Sequence, residues 1–233
     1  RWKKLEKELS SIPINDKDLD NDVLLNIDLA RRNLVDSIYK QSILEGIATT
    51  YSETETIVNE GRVHDMPTID VQKIINLKHA WEFIMDYDVE QYPTNYALLC
   101  QINGLVEEGI SFQAGKIRST PVSIRGSKYI PPIPFEYKVK EDIDLILNNS
   151  TDNNITKAAK LIAFAMKTQT FIDGNKRTAI IFGNHFLIRH GLGLIVVPVE
   201  KIEKYKKLLI DYYEDKSNKL INFLKTECFI PLK

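Results

Sequence analysis

Apolar residues recur at helical spacing through the first half of the chain. Positions three, four or seven apart predict a helix over residues 23–49, with Asp20 or Asn21 available as its N-cap. The same spacing predicts a second helix over residues 69–85 and a third over residues 94–105. We therefore expect a mostly helical protein.

The pattern changes between residues 109 and 134, where seven glycines and prolines exclude a long helix. Two short segments, 117–124 and 128–130, flank the turn sequence Arg-Gly-Ser at 125–127, and together they predict a β-hairpin. Because Pro121 cannot donate to a strand ladder, we expect an exposed edge hairpin.

Two later segments, 155–166 and 179–188, are almost entirely apolar. A helix without a polar stripe must be buried on all sides, so these segments are expected to form the core pair of a helical bundle. Helical spacing also covers residues 141–147, and the lysine-rich stretch 200–228 has one apolar stripe, typical of surface helices. The predicted fold class is all-α, a helical bundle with a small β-hairpin.

Composition excludes several classes of protein. The 233 residues include 43% hydrophobic ones, which is enough for a core and excludes a disordered chain. A net charge of -1 argues against general nucleic-acid binding, and the lysines near 201–207 are interleaved with acids. Cys100 and Cys228 cannot form a disulfide framework, and no apolar run approaches the ~20 residues that span a bilayer. We expect a soluble, cytoplasmic protein with no membrane or nucleic-acid partner.

The loop between the two apolar segments holds the candidate chemistry. It reads Thr-Gln-Thr-Phe-Ile-Asp-Gly-Asn-Lys-Arg over residues 168–177. The first N–H groups of a helix have no backbone partner and attract phosphate. Gly174 would let a ligand approach the main chain, and Lys176 and Arg177 add two cations. Asp173 is placed to hold Mg²⁺ against phosphate oxygens.

An ordinary helix start accounts for the same residues, with Asp173 as N-cap and the two cations in solvent. A histidine metal site is disfavoured, because His185 and His190 are five residues apart and do not share a helix face. Physical reasoning alone therefore leaves an anion site and a plain helix start both open.

Residues 169–177 resemble the signature of the Fic/Doc (Fido) family, H-P-F-x-[DE]-G-N-[GK]-R. Phe171 and the run Asp173 to Arg177 match it, and the lysine variant followed by Thr-Ala is similar to the Doc-like branch. The resemblance implies a Fic-type helical bundle that uses ATP and Mg²⁺, the metal at Asp173. It implies transfer of AMP, or of phosphate in the Doc-like branch, to a Ser, Thr or Tyr hydroxyl of a target protein. The implied nucleotide-binding residues are Phe171, Asp173, Gly174, Asn175, Lys176 and Arg177, the last also being catalytic.

Two other segments resemble parts of the same family. Residues 115–131 are similar to the flap that docks a target segment by strand addition, which implies target contacts from Lys116, Ile117, Arg118 and Tyr129. Residues 37–48 are similar to the inhibitory helix, whose motif is [ST]-x-x-x-E-[GN]. The implied inhibitory residue is Glu45, which would reach the motif's arginine and block the γ-phosphate. Gln41 replaces the expected hydroxyl residue.

Two departures from the family pattern bear on activity. Gln169 occupies the position of the catalytic histidine, and a neutral amide cannot accept a proton at any useful pKa. Ile180 stands where AMP-transferring members usually have another arginine, which weakens the expected grip on phosphate.

We therefore expect an N-terminal extension (1–22), a Fic-like domain (23–195) and C-terminal helices packed on it (196–233). Two functions stay open: impaired AMP transfer that is autoinhibited by Glu45, and a non-catalytic nucleotide- or peptide-binding regulatory protein with a degenerate site. A protein target bound at the flap is the expected partner, and a homo-oligomer is compatible with the sequence.

Overall fold

The computed structural model describes residues 21–232. Asp20 and nearly all of the expected N-terminal extension, 1–22, lie outside these residues. The helices are α1 (Asn21–Arg32), α2 (Leu34–Leu44), α3 (Tyr51–Glu60), α4 (Thr68–Ile84), α5 (Tyr87–Glu90), α6 (Tyr96–Val106), α7 (Glu136–Leu147), α8 (Asn154–Thr168), α9 (Asn175–Arg189), α10 (Ile202–Tyr213) and α11 (Lys219–Glu227). A short antiparallel pair, β1 (Gly193–Ile195) and β2 (Phe229–Pro231), joins the end of the chain to the segment after α9.

The two apolar segments form the centre of the bundle, as predicted. Helix α9 is buried from Arg177 to Ile188, and it packs along α8. Their close approach depends on Gly183, because a Cβ atom there would lie 2.3 Å from Cγ1 of Ile162 on α8. The all-α fold class is therefore confirmed, and this helix pair supports the loop between its members.

The predicted β-hairpin does not form. Segments 117–124 and 128–130 contain no strand, and a single turn hydrogen bond joins Ser127 N–H to the carbonyl of Ile124 at 3.1 Å. The small sheet is instead the β1–β2 pair, in which Leu194 faces Ile230. The hairpin prediction failed because Pro121 lacks a donor and because side chains, rather than an opposing strand, bind this segment's backbone.

The N-terminal helices differ in their boundaries from the prediction. The helix expected over residues 23–49 is two helices that meet at Asn33, whose side chain donates to the carbonyl of Leu29 at 2.8 Å. Helix α3 was missed because it has few apolar residues. Its sequence signal was a capping box, in which Thr50 and Glu53 each bind the other's backbone N–H.

The outer helices complete the bundle. The two helices expected over 200–228 are α10 and α11, and the predicted 141–147 helix begins earlier, at Glu136. Between residues 21 and 232, the helices are all too short or too polar to cross a lipid bilayer. The division into three segments stays a prediction.

Candidate functional site

The loop between α8 and α9 is held in a fixed shape by asparagine side chains. Helix α8 ends at Thr168, and its C-cap residue, Gln169, has a φ of 48° that turns the chain sharply. The Asn175 side chain accepts from Phe171 N–H at 3.0 Å and donates to the Phe171 carbonyl at 2.8 Å. From α6, Asn103 donates to the Asp173 carbonyl at 3.0 Å. These hydrogen bonds attach the backbone of Phe171 and Asp173 to helices α6 and α9.

The start of α9 has no side-chain cap. Its N-cap residue is Gly174, with a φ of 74° that favours glycine. The Gly174 N–H is already taken by Asp173 Oδ1 at 2.7 Å, so this amide differs from the expected free phosphate donor. The first-turn amides of residues 175–177 follow it at the positive end of the helix dipole.

Exposure divides the predicted nucleotide-binding residues into two groups. Asp173 is exposed and Lys176 is half-buried, so both side chains can reach a ligand. Phe171, Gly174 and Asn175 are buried and shape the loop from behind.

Three carboxylates surround Arg177, whose side chain is 2% exposed. Its guanidinium lies 2.8 Å from Glu107 Oε1, 3.6 Å from Glu45 Oε2 and 3.7 Å from Asp173 Oδ1. Lys176 Nζ lies 3.6 Å from Glu45 Oε1. Glu45, immediately after α2, thus lies beside both cations of the loop.

Glu107 was missed by sequence reasoning. It follows the end of α6, is buried, and lies directly beneath the loop, since a Cβ atom on Gly174 would be 2.5 Å from its Oε1. Despite the short approach to Arg177, neither of its carboxylate oxygens has a hydrogen-bond partner among residues 21–232. Burial raises the pKa of Glu107, and the charge of Arg177 opposes this shift. No sequence signal separates it from the adjacent Glu108, which is exposed.

Gln41 links the inhibitory-helix segment to the loop. Its Oε1 accepts from the Trp81 indole N–H at 2.6 Å, and its Nε2 donates to the Arg177 carbonyl at 3.4 Å. The amide that replaces the expected hydroxyl therefore holds α2 against the first turn of α9.

The side chain of Gln169 links the last turn of α8 to the first residue of α9. Its Nε2 donates to the Met166 carbonyl at 2.6 Å, and its Oε1 accepts from Asn175 Nδ2 at 3.2 Å. Ile180, where the resemblance led us to expect a further arginine, is 2% exposed and belongs to the hydrophobic core. The local geometry therefore supplies neither a general base at 169 nor a cation at 180.

A cavity of about 530 Å³ opens beside the loop. Its lining includes the flap segment 122–126 together with Glu45, Gln169, Asp173 and Lys176. The structure thus brings together four predicted site residues from two separate segments. The remaining wall comes from α10, including Tyr205, Leu209 and Tyr213. Sequence reasoning treated α10 as an ordinary surface helix, although its apolar stripe was the signal.

The flap residues are placed differently from expectation. Arg118 is 1% exposed, and its guanidinium donates to the carbonyls of Gln169, Thr120 and Pro132 at 2.5, 2.9 and 2.6 Å. It fastens the flap to the loop, so its side chain is not available to a docked segment, which corrects the implied target contact.

The other three flap residues have unequal access to solvent. Tyr129 is half-buried and stacks on Tyr213 with ring centroids 6.4 Å apart. Ile117 is half-buried, and Lys116 is exposed. Their expected contacts with a target stay predictions, and Lys116 has the freest side chain of the three.

The site suits Mg²⁺ only together with phosphate. Asp173 offers one carboxylate, 64% exposed, at the edge of the cavity. Residues 21–232 contain no cluster of three metal-binding side chains. Because Mg²⁺ commonly takes one or two carboxylates plus phosphate oxygens and water, the donor set fits a nucleotide-bound ion.

Comparisons with known proteins give a family match that includes the loop between α8 and α9. Residues 93–187 match the model of the Fic/DOC family. The chain is similar to a protein adenylyltransferase Fic from Drosophila erecta, 25% identical over 178 residues, which are 74% of this chain and 36% of that protein. The chain thus spans about a third of the length of this curated relative.

Solved structures share the fold. A Fic-1 segment from C. elegans superimposes with a TM-score of 0.70 at 21% identity, covering 91% of this chain and 64% of that one. A Fic domain containing signaling protein from Bacteroides thetaiotaomicron gives 0.72 at 19% identity, covering 97% and 91%. Residues 93–187 therefore match the Fic/DOC family model, and the chain has a Fic-type helical fold.

Proposed function

We propose that the Fic/DOC domain of this chain binds ATP with Mg²⁺ and supports slow AMP transfer to a protein hydroxyl, with Glu45 as its inhibitor. One observation carries the proposal: Glu45, Asp173 and Lys176 converge on a single cavity beside an uncapped helix start. The name of the Drosophila relative supports adenylyl transfer at the level of the family.

Phosphate binding would use the positive end of α9. The first-turn amides and the Lys176 ammonium would contact phosphate oxygens. Arg177 would add charge from behind the loop, opposed by Glu107 at 2.8 Å. Asp173 would hold Mg²⁺, which supplies further neutralisation of the phosphates when bound. Glu45 lies 3.6 Å from both cations, so it must move away before a phosphate group can replace it.

The transfer step lacks a general base. A target hydroxyl oxygen would attack the α-phosphorus, the bond to the β-phosphate would break, and pyrophosphate would leave. With Gln169 at the base position, the hydroxyl proton must go to water, which costs about 10²- to 10⁴-fold in rate. Electrostatic stabilisation by the loop would be unaffected.

Calorimetry with ATP and Mg²⁺ tests the binding step. Glu45→Gln removes the competing charge at nearly constant shape, so its ATP affinity should exceed that of the unmodified chain by tenfold or more. Glu60→Gln, which changes an exposed carboxylate at the end of α3, is the matched control and should leave affinity unchanged. Failure of both the unmodified chain and Glu45→Gln to bind ATP would contradict the proposal.

A second function follows from the occupied amide of Gln169. Because Met166 and Asn175 bind both the nitrogen and the oxygen of that amide, the site is equally suited to hold nucleotide without turnover, as a regulatory protein would. Gln169→His combined with Glu45→Gln decides between the two. Labelling of protein by radiolabelled ATP in this double variant would show a competent transferase scaffold, whereas tight binding without labelling would favour the regulatory function.

A further inference from the structure

Around the first turn of α9, the proposed phosphate site has more negative than positive side chains. Lys176 and Arg177 provide two positive charges, and Glu45, Glu107 and Asp173 provide three carboxylates within 4 Å of one or both cations. A polyphosphate ligand therefore competes with these carboxylates for the positive charges of Lys176 and Arg177.

Glu45 and Glu107 differ in whether their side chains can move away from Arg177. The Glu45 side chain is 17% exposed and borders the cavity, so it can swing into the space beside the loop. The Glu107 side chain is 1% exposed, lies beneath Gly174, and is absent from the cavity wall. Moving it would require the loop itself to open, so Glu107 stays beside Arg177 when a ligand binds.

We propose that Glu107 is a specificity-determining residue that permanently offsets the charge of Arg177. It thereby limits how much the affinity of the site for a nucleotide increases with each additional phosphate group. This inference rests on the proposed nucleotide site. Relief of Glu45 removes one competing carboxylate, but the fixed pair of Glu107 and Arg177 leaves Lys176 and the backbone amides as the effective phosphate partners. Each added phosphate group then gains little affinity.

Comparing the affinities for AMP, ADP and ATP distinguishes this electrostatic role of Glu107 from a purely structural one. Coulomb interaction with a fixed carboxylate grows with ligand charge, so removing that carboxylate should help ATP more than ADP, and ADP more than AMP. A structural defect would change all three affinities by the same factor.

The experiment measures affinities for AMP, ADP and ATP with Mg²⁺ by calorimetry in a Glu45→Gln background. Adding Glu107→Gln keeps an oxygen beside Arg177 and removes the charge. It should tighten ATP binding by about tenfold and AMP binding by less than about threefold. The adjacent exposed residue provides the control, and Glu108→Gln should change none of the three affinities.

Three outcomes would overturn the inference: equal change for all nucleotides, no change, or weaker ATP binding. The last of these would show that Glu107 instead positions Arg177 for phosphate. If Glu107→Gln does not fold, the Glu45→Gln protein still provides a test, because the inference predicts that it binds ATP no more than about tenfold more tightly than AMP. A hundredfold preference there would refute the inference. Absence of binding by every nucleotide would instead contradict the proposed function.

Discussion

Replacing Arg118 by methionine should detach the flap from the loop that ends α8. The guanidinium is buried and donates to three carbonyls at 2.9 Å or less: one on the loop, one within the flap and one at Pro132, directly after it. Methionine would fill most of the volume but leave these carbonyls without their donor. The flap would then lose its main link to Gln169, and the wall of the cavity would loosen.

The magnitude follows from the hydrogen bonds lost. Bonds from a charged donor contribute about 1.5–3 kcal/mol each, but their sum overestimates the effect, because single substitutions rarely exceed about 4–5 kcal/mol. We expect the free energy of unfolding to fall by about 3–5 kcal/mol. In a domain of this size that corresponds to a decrease in Tm of about 10 °C.

Urea unfolding and amide hydrogen exchange measure the two consequences separately. Arg125→Met is the matched control, because Arg125 is an exposed arginine in the same flap, and its effect should stay within about 0.5 kcal/mol. Arg118→Lys should recover less than half of the loss, because one ammonium cannot span carbonyls on two segments. A loss below about 1 kcal/mol for Arg118→Met, or equal flap exchange in both methionine variants, would refute the clamp.

Two further predictions concern the loop and the core. Gly174→Ala should lower stability by about 2–4 kcal/mol in thermal unfolding, since φ is positive and the new Cβ would meet Glu107 at 2.5 Å. Gly61→Ala, with positive φ but open space, should lose about 1 kcal/mol, and equal losses would contradict the steric argument. Burial lowers the pKa of His185 to about 4, so the unfolded chain binds its proton first as pH falls below about 6.5. The contribution of His185 to stability should therefore fall by about 3 kcal/mol between pH 6.5 and 4. Burial raises the pKa of Glu90 to about 9, which acts in the opposite direction over most of this range, so urea melts should compare the unmodified chain with His185→Gln at each pH. The stability difference between the two proteins should change by about 3 kcal/mol across the window, and a constant difference would contradict the role of His185.

The sequence predicted the helices whose apolar spacing is long and regular. Helices α4, α6, α8 and α9 lie close to their expected bounds, because burial of a helix face imposes a period that local residues reveal. The hairpin prediction failed at residues 117–130 because strand pairing depends on partners distant in the chain. There the backbone carbonyls were bound by the side chain of Arg118 instead.

The resemblance to the Fic/Doc signature was likewise readable, because the match over residues 169–177 is local and contiguous and lies inside the region that the family model matches. Gln169 and Ile180 could be recognised as departures for the same reason. Glu45 was expected to reach Arg177, and the structure places it 3.6 Å away.

Tertiary structure alone decided that Glu107 joins Glu45 beside Arg177. Glu107 and Glu108 are identical residue types one position apart, yet the turn of helix α6 directs one beneath Gly174 and the other into solvent. The burial of Arg118 and the cavity wall from α10 were decided in the same way. Sequence determines where a charge lies along the chain, but the free energy of that charge depends on the water and counterions that the folded chain leaves around it.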